Sequence, residues 1–354
     1  MEKLVKLRGS FDELGIDGMI ITDPYNRRYL TGFTGTAGTV LVSKTEAYLL
    51  VDFRYTSQAN EQVTDFTVKE IDRIIIYEEI STLIDDLGIK KLGFEQQHQS
   101  YFYYSQLVKA INPELVPVSN VVEKLRMIKN ESEMAILKKA AEIADAAFEH
   151  ILTFIKPGRT EIEVANELEF HMRKLGATSS SFDMIVASGV RSALPHGVAS
   201  DKVIEQGDMV TLDFGAYYQG YCSDMTRTIA VGEPDPKLKE IYSIVYDALE
   251  NALSGIKVGM TGKEADALTR DLISEKGYGD NYGHGMGHGI GLYIHEDIFM
   301  NPTCELLVEE GMVLTVEPGI YIPGLGGVRI EDDIIMKKDG IEIITKSPKE
   351  LIIL

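Results

Sequence analysis

Cysteine is almost absent from this sequence. Only Cys222 and Cys304 occur, and they are expected to be free thiols of a reducing compartment, with the cytoplasm as the default location. No apolar run approaches the length of a membrane span. The opening stretch MEKLVKLRGSFDELGIDG sets Leu4, Leu7, Phe11 and Leu14 at helical spacing among charges, so an amphipathic helix is expected there and not a signal peptide. Basic clusters are missing as well. Against 55 acidic residues stand 35 Lys and Arg, a formal charge of -20 with no dense cationic stripe, which argues against nucleic acid and anionic membranes as partners. Low-complexity segments are not found. With 44% hydrophobic and 25% charged residues over 354 positions, the chain has the composition of a globular protein, and its length favours two domains.

From residue 1 to about 125, helices alternate with short apolar strands, GMIIT, TVLVS, AYLLVD and KKLGFE, the pattern of a small α/β domain. The boundary is expected near Ile128, giving domains 1–128 and 129–354. A long helix is predicted from Glu131 to Lys156, with Asn130 as N-cap and Glu133 closing a capping box. The second domain carries a repeat: KPGRTEIE matches KVGMTGKE, each opening a helix with Thr160 or Thr261 as N-cap, and GDMVTLDFG matches GMVLTVEPG. In that second match Asp213 falls on Glu317. A duplicated helix-helix-strand-strand unit places its site at the junction of the two halves.

The apolar strand around residue 213 has no reason to carry carboxylates, because a buried ionised acid costs several kcal/mol or more without a partner. Folding DFGAYYQGYCSD about Tyr218 and Gln219 puts Asp213 opposite Asp224, and folding EPGIYIPGLGGVRIED about Gly324 puts Glu317 opposite Glu331. Opposed residues share a face with Cβ atoms ~4.5–5.5 Å apart. Four converging carboxylates raise one another's pKa, whereas two divalent ions would neutralise them and form a template for activating water. Oxygen ligands favour Mn or Mg, and an added imidazole suits Mn, Co or Zn. Imidazoles are at hand: four of the seven histidines, His196, His284, His288 and His295, fall in ALPHG and GHGMGHGIGLYIHED. Five glycines from Gly283 to Gly291 argue against a helix there, HEDIF does not complete H-E-x-x-H, and G-x-G-x-x-G fails at every register.

With LDFGAYYQGYCSD, GHGIGLYIHE, TVEPGIY and GVRIED in this order, the chain resembles the pita-bread metallopeptidases, the family of methionine aminopeptidase, aminopeptidase P and prolidase. The resemblance covers the whole chain. It implies an α+β architecture: a pita-bread catalytic domain with pseudo-twofold duplication, preceded by the smaller α/β domain of the aminopeptidase P and prolidase branch. It further implies two divalent ions, Mn foremost with Co or Zn as alternatives, held by Asp213, Asp224, His288, Glu317 and Glu331, with Asp224 and Glu331 bridging. On the same grounds His196 and His295 would hold substrate and stabilise the tetrahedral intermediate. His284, Tyr321 and Arg329 would lie just behind the ligands, and a hydroxide between the ions would attack while Glu317 shuttles the proton. Cys222 is absent from the family's ligands and is expected to be a packed thiol.

Within the family, YLTGFTGTAGT and VDFRYTSQA resemble aminopeptidase P stretches, which favours cleavage of the Xaa-Pro bond at the N-terminus of peptides, with Arg54 reaching substrate across a homodimer. The alternative is an Xaa-Pro dipeptidase. It would have to grip a C-terminal carboxylate, and HEDIFMNPTCE supplies no Lys or Arg for that purpose. A creatinase-like enzyme or a metal-free binding protein, the remaining alternatives, would be expected to lack part of the ligand set. Proline-containing peptides are therefore the expected partners.

Overall fold

The computed structural model describes residues 1–354, and the chain divides into two compact units, Met1–Arg126 and Met127–Leu354. The first unit is built on a six-stranded mixed sheet, in the order Thr67–Glu70, Ala47–Val51, Thr39–Ser43, Gly18–Ile21, Lys91–Glu95, Glu114–Val118. The four central strands are the apolar runs read from the sequence. The two edge strands are half-buried, with only Val118 buried among their residues, and their mixed sequences, TVKE and ELVPV, give a weaker apolar signal. The predicted N-terminal helix is two pieces, Glu2–Gly9 and Phe11–Leu14, that together bury Leu4, Leu7 and Phe11.

The second unit repeats one motif. Helices α1 (Glu131–Ile151) and α2 (Glu161–Lys174) precede strands β1 (Ile185–Ser188), β2 (Met209–Phe214) and β3 (Met225–Ala230), which form an antiparallel sheet with β2 in the middle. Helices α3 (Pro236–Gly255) and α4 (Gly262–Glu275) then precede β4 (Gly287–Gly289), β5 (Glu296–Met300) and β6 (Val313–Val316). A ribbon of β7 (Gly319–Ile322) and β8 (Gly326–Arg329) leads to β9 (Asp332–Lys337) and β10 (Gly340–Ile343), and the second sheet runs β5-β4-β6-β9-β10. Capping boxes open α2 and α4 identically: Thr160 pairs with Glu163 and Thr261 with Glu264, each hydroxyl accepting from the N3 amide and each glutamate from the cap amide. Asn130 and Glu133 make the same box at α1. Helix α1 ends at Ile151, short of the expected Lys156, since its last turn tightens into i→i−3 bonds from Thr153 and Phe154 ahead of Pro157.

Each half has its own apolar core, one under α1 and α2 and one under α3 and α4. Strand β2 alternates across them. Val210, Leu212 and Phe214 point into the first core, and Thr211 and Asp213 point the other way. The β2–β3 register departs from expectation: Asp213 pairs with Thr226, not Asp224. Gln219 and Gly220 both have positive φ, 48° and 87°, forming a two-residue turn closed by Tyr218 and Tyr221, so the hairpin folds one position later than expected. That moves each partner by two residues, an even slip, so Asp213 and Asp224 keep the same face as diagonal neighbours. In the second half the expected register is observed, with Gly319 opposite Arg329 and Val316 opposite Asp332, which sets Glu317 against Glu331.

Candidate functional site

Both hairpins deliver their acids to one cavity of about 900 Å³ in the second unit. One ligand oxygen from each of Asp213, Asp224 and Glu331 lies within 4.8 Å of the others, and all three residues are buried. His288 closes the group from the other side, its Nε2 standing 3.8 Å from Asp224 and 3.5 Å from Glu317. Nothing in the protein satisfies Oδ1 of Asp213 or Oδ1 of Asp224. Orphaned carboxylate oxygens in a buried acidic cluster are costly unless a cation joins them, so the residues present fit divalent ions.

Burial governs the protonation of these groups in the protein alone. It pushes Glu317 up to about 8 and raises Asp224 and Glu331 well above the usual carboxylate range, the neighbouring acids adding to the effect on the latter two. Burial pulls His288 down to about 4, so its imidazole is neutral. Its Nδ1 lies 3.0 Å from the carbonyl of Gly289, an arrangement that puts the proton on Nδ1 and turns the Nε2 lone pair toward the carboxylates. Strand β4, which carries His288, has to approach its neighbours closely. A Cβ on Gly287 would sit 2.1 Å from the Thr315 carbonyl, and one on Gly289 would sit 2.2 Å from the Asp297 carbonyl. The glycines are there for strand packing.

Behind the acids runs a hydrogen-bonded chain. Arg329 pairs with Asp213, donates to the Tyr321 hydroxyl at 2.7 Å and to Thr226 Oγ1 at 3.1 Å; Tyr321 in turn lies 2.9 Å from His284 Nε2. His284 is also neutral, lowered to about 4 by burial first and the Arg329 charge second. His196 and His295 line the same cavity, and the His295 ring meets His288 edge to face at 4.6 Å. The cavity thus gathers every predicted site residue of the second unit except Tyr321, which stands one contact behind it. Arg54 belongs to the first unit, where its guanidinium engages Asp52 at 2.7 Å.

Four supporting residues escaped sequence reasoning. Thr226 donates to Glu331 at 2.6 Å, Thr315 accepts from the His288 amide at 3.0 Å, and Asp333 accepts from the Asp224 amide at 2.9 Å. Arg227, buried and spending all its donors on Thr226, Glu331, Asp332, Ser347 and Pro348, fixes the backbone under Glu331. The repeat holds a faint signal for three of them. Thr315 precedes Glu317 as Thr211 precedes Asp213, and Asp333 follows Glu331 as Thr226 follows Asp224.

A duplicated α+β unit that buries convergent carboxylates and a neutral imidazole beside an open cavity defines a metallohydrolase centre. The Metallopeptidase family M24 pattern matches residues 135–338, and the Creatinase/Prolidase N-terminal domain pattern matches residues 3–128. The chain belongs to metallopeptidase family M24, with the pita-bread catalytic domain and the preceding N-terminal domain, and it is accordingly a hydrolase that uses divalent metal. It is 43% identical over 353 residues to an Xaa-Pro dipeptidase of Pyrococcus horikoshii, covering 99% of each chain. Among solved structures, an Xaa-Pro dipeptidase from Bacillus anthracis superposes with a TM-score of 0.99 at 62% identity, covering 100% of this chain and 99% of that one. An X-Pro aminopeptidase from Thermotoga maritima superposes at 0.91 with 41% identity, covering 98% and 100%.

Proposed function

We propose that the chain hydrolyses the Xaa-Pro bond of dipeptides, using two divalent ions, Mn foremost and Co or Zn as alternatives, held by Asp213, Asp224, His288, Glu317 and Glu331. The observation that carries the reading is the buried set of Asp213, Asp224 and Glu331 with its unsatisfied oxygens, facing a neutral His288. Bound ions supply Lewis acidity and an activated water. The chain's own groups do the rest. Asp224 and Glu331, one from each half of the duplication, would hold both ions. Glu317 reaches the cavity with 20% of its side chain exposed and can hold a proton for the departing amine. His196 and His295 on the cavity wall can donate to the developing oxyanion. The proline nitrogen of the substrate has no N–H, so recognition on that side rests on ring shape against apolar walls such as Leu194, Val198 and Phe299.

The dipeptidase reading is preferred over N-terminal trimming of longer peptides because the relatives bearing the dipeptidase name include those at 62% and 43% identity. The aminopeptidase reading keeps support from the Thermotoga maritima neighbour, which aligns over nearly the whole chain. A homodimer with Arg54 reaching the partner's substrate belongs to the same proposal. No helix is long and apolar enough to cross a membrane. Hydrolysis of Ala-Pro and Ala-Pro-Ala by protein stripped of metal and reloaded with Mn is the test. Cleavage of the dipeptide alone supports the dipeptidase, cleavage of the tripeptide between Ala and Pro moves the assignment to the aminopeptidase, and cleavage of neither despite bound metal overturns both.

A further inference from the structure

Five carboxylates line the cavity, and four of them, Asp213, Asp224, Glu317 and Glu331, make up the acidic cluster. The fifth is Asp183. It sits two residues before β1, whose Ile185 pairs with Asp213 across the sheet, and both Ile185 and Asp183 line the cavity. Unlike the cluster, Asp183 is exposed and makes neither a hydrogen bond nor an ion pair. The cavity's one arginine, Arg329, is already paired with Asp213.

The geometry points to Asp183 as the residue that recognises the free α-ammonium of the substrate. This rests on the Xaa-Pro exopeptidase reading, in either its dipeptidase or its aminopeptidase form. An exopeptidase must distinguish a free N-terminus from a peptide bond, and the ammonium nitrogen lies only two bonds from the scissile carbonyl carbon. The group therefore comes to rest beside the metal-binding acids, where bound cations would repel it. Carboxylates engaged with those cations have little negative charge left to offer. Asp183 has its full complement of acceptors free, and it lines the cavity two residues before Ile185, the residue facing Asp213. Its neighbour Phe182 also lines the cavity and offers an apolar surface to the side chain of the first residue.

The test compares Ala-Pro with propionyl-proline, which differs only in lacking the ammonium, on Mn-loaded wild type and Asp183→Asn. Wild type should prefer Ala-Pro. Asp183→Asn should raise KM for Ala-Pro about 10- to 100-fold, the range of one charged hydrogen bond, with a smaller change in kcat and unaltered hydrolysis of propionyl-proline. Asp183→Glu should restore much of the preference. Metal content and Tm should match wild type, because the residue is exposed and outside the cluster. If Asp183→Asn keeps the wild-type preference, or loses both substrates equally, Asp183 does not read the ammonium. If wild type binds Mn and cleaves no Xaa-Pro substrate, the functional reading itself falls and this inference with it.

Discussion

Thr226 and Glu331 are joined twice across the two halves of the catalytic unit: the threonine hydroxyl donates to Oε2 of Glu331 at 2.6 Å, and the Glu331 amide donates to the Thr226 carbonyl at 3.0 Å. Thr226 belongs to the first hairpin and Glu331 follows the second. A side chain proposed to bridge two ions is thus aimed by the opposite repeat. Thr226→Val should lower Mn affinity about 10- to 100-fold, the range for partners that orient a metal ligand, while Thr226→Ser retains it. Calorimetric titration of the stripped protein with Mn checks this; equal affinity in Thr226→Val and wild type would show that the hydroxyl orients nothing.

Asp224→Asn replaces a proposed bridging oxygen with an amide nitrogen. Turnover of Ala-Pro should fall by more than about 100-fold, the upper end for mere orienting partners, with the fold intact. Near-normal turnover at wild-type circular dichroism would remove Asp224 from the bridge.

Arg227 is fully buried, and all of its donors are taken, one of them by Asp332 at 2.7 Å. A lysine cannot reproduce that fork, and it leaves several buried carbonyls short of partners, although Thr345 and Lys349 still hold Asp332. Arg227→Lys should cost roughly 3–5 kcal/mol of stability, since several buried carbonyls lose their donor at about 1–3 kcal/mol each. Denaturant unfolding of the metal-loaded protein measures it, and a loss below about 1 kcal/mol, the level of a surface pair, would contradict the account.

The metal-free protein should lose stability as the pH rises from about 6.5 to about 8. Burial holds the Glu317 carboxyl up to about 8 and raises Asp224 and Glu331 in the same direction. Such groups bind protons more tightly folded than unfolded, so the stability they contribute is complete at low pH and disappears as the pH climbs through the folded pKa. His284 and His288, lowered to about 4, act oppositely, but only between about 4 and their ordinary 6.5. Above 6.5 the carboxylates act alone. Thermal melting of chelator-treated protein at pH 6.5 and 8.0 should show the lower Tm at 8.0, and saturating Mn should reverse that order because deprotonated ligands bind it better. A metal-free Tm that rises over this interval would mean the cluster is not the protonated core described.

Much of the site was legible because carboxylates in an apolar strand are costly enough to demand a reason. Asp213 in VTLDF announces a cation for that cause, and the repeat then finds Glu317 in VLTVEP without any structure. The capping boxes at Thr160 and Thr261 were equally plain, since S/T-x-x-E closes on itself within four residues. The register of the first hairpin lies two residues from the expected one, because from sequence a turn of positive φ can be placed at Gln219 as readily as at Tyr218. The even slip spared the prediction.

The sequence by itself determined which acids exist, that they lie on strands of period two, and that the strands come in two related copies, for these are local properties of pattern and spacing. Only the tertiary structure decided that Thr226 aims Glu331, that Asp333 holds the Asp224 amide, and that Arg227 underlies them all. Those contacts join residues about a hundred positions apart. Hydrogen-bond partners so far separated are chosen by how the two halves of the duplication come together, and no local periodicity records that choice.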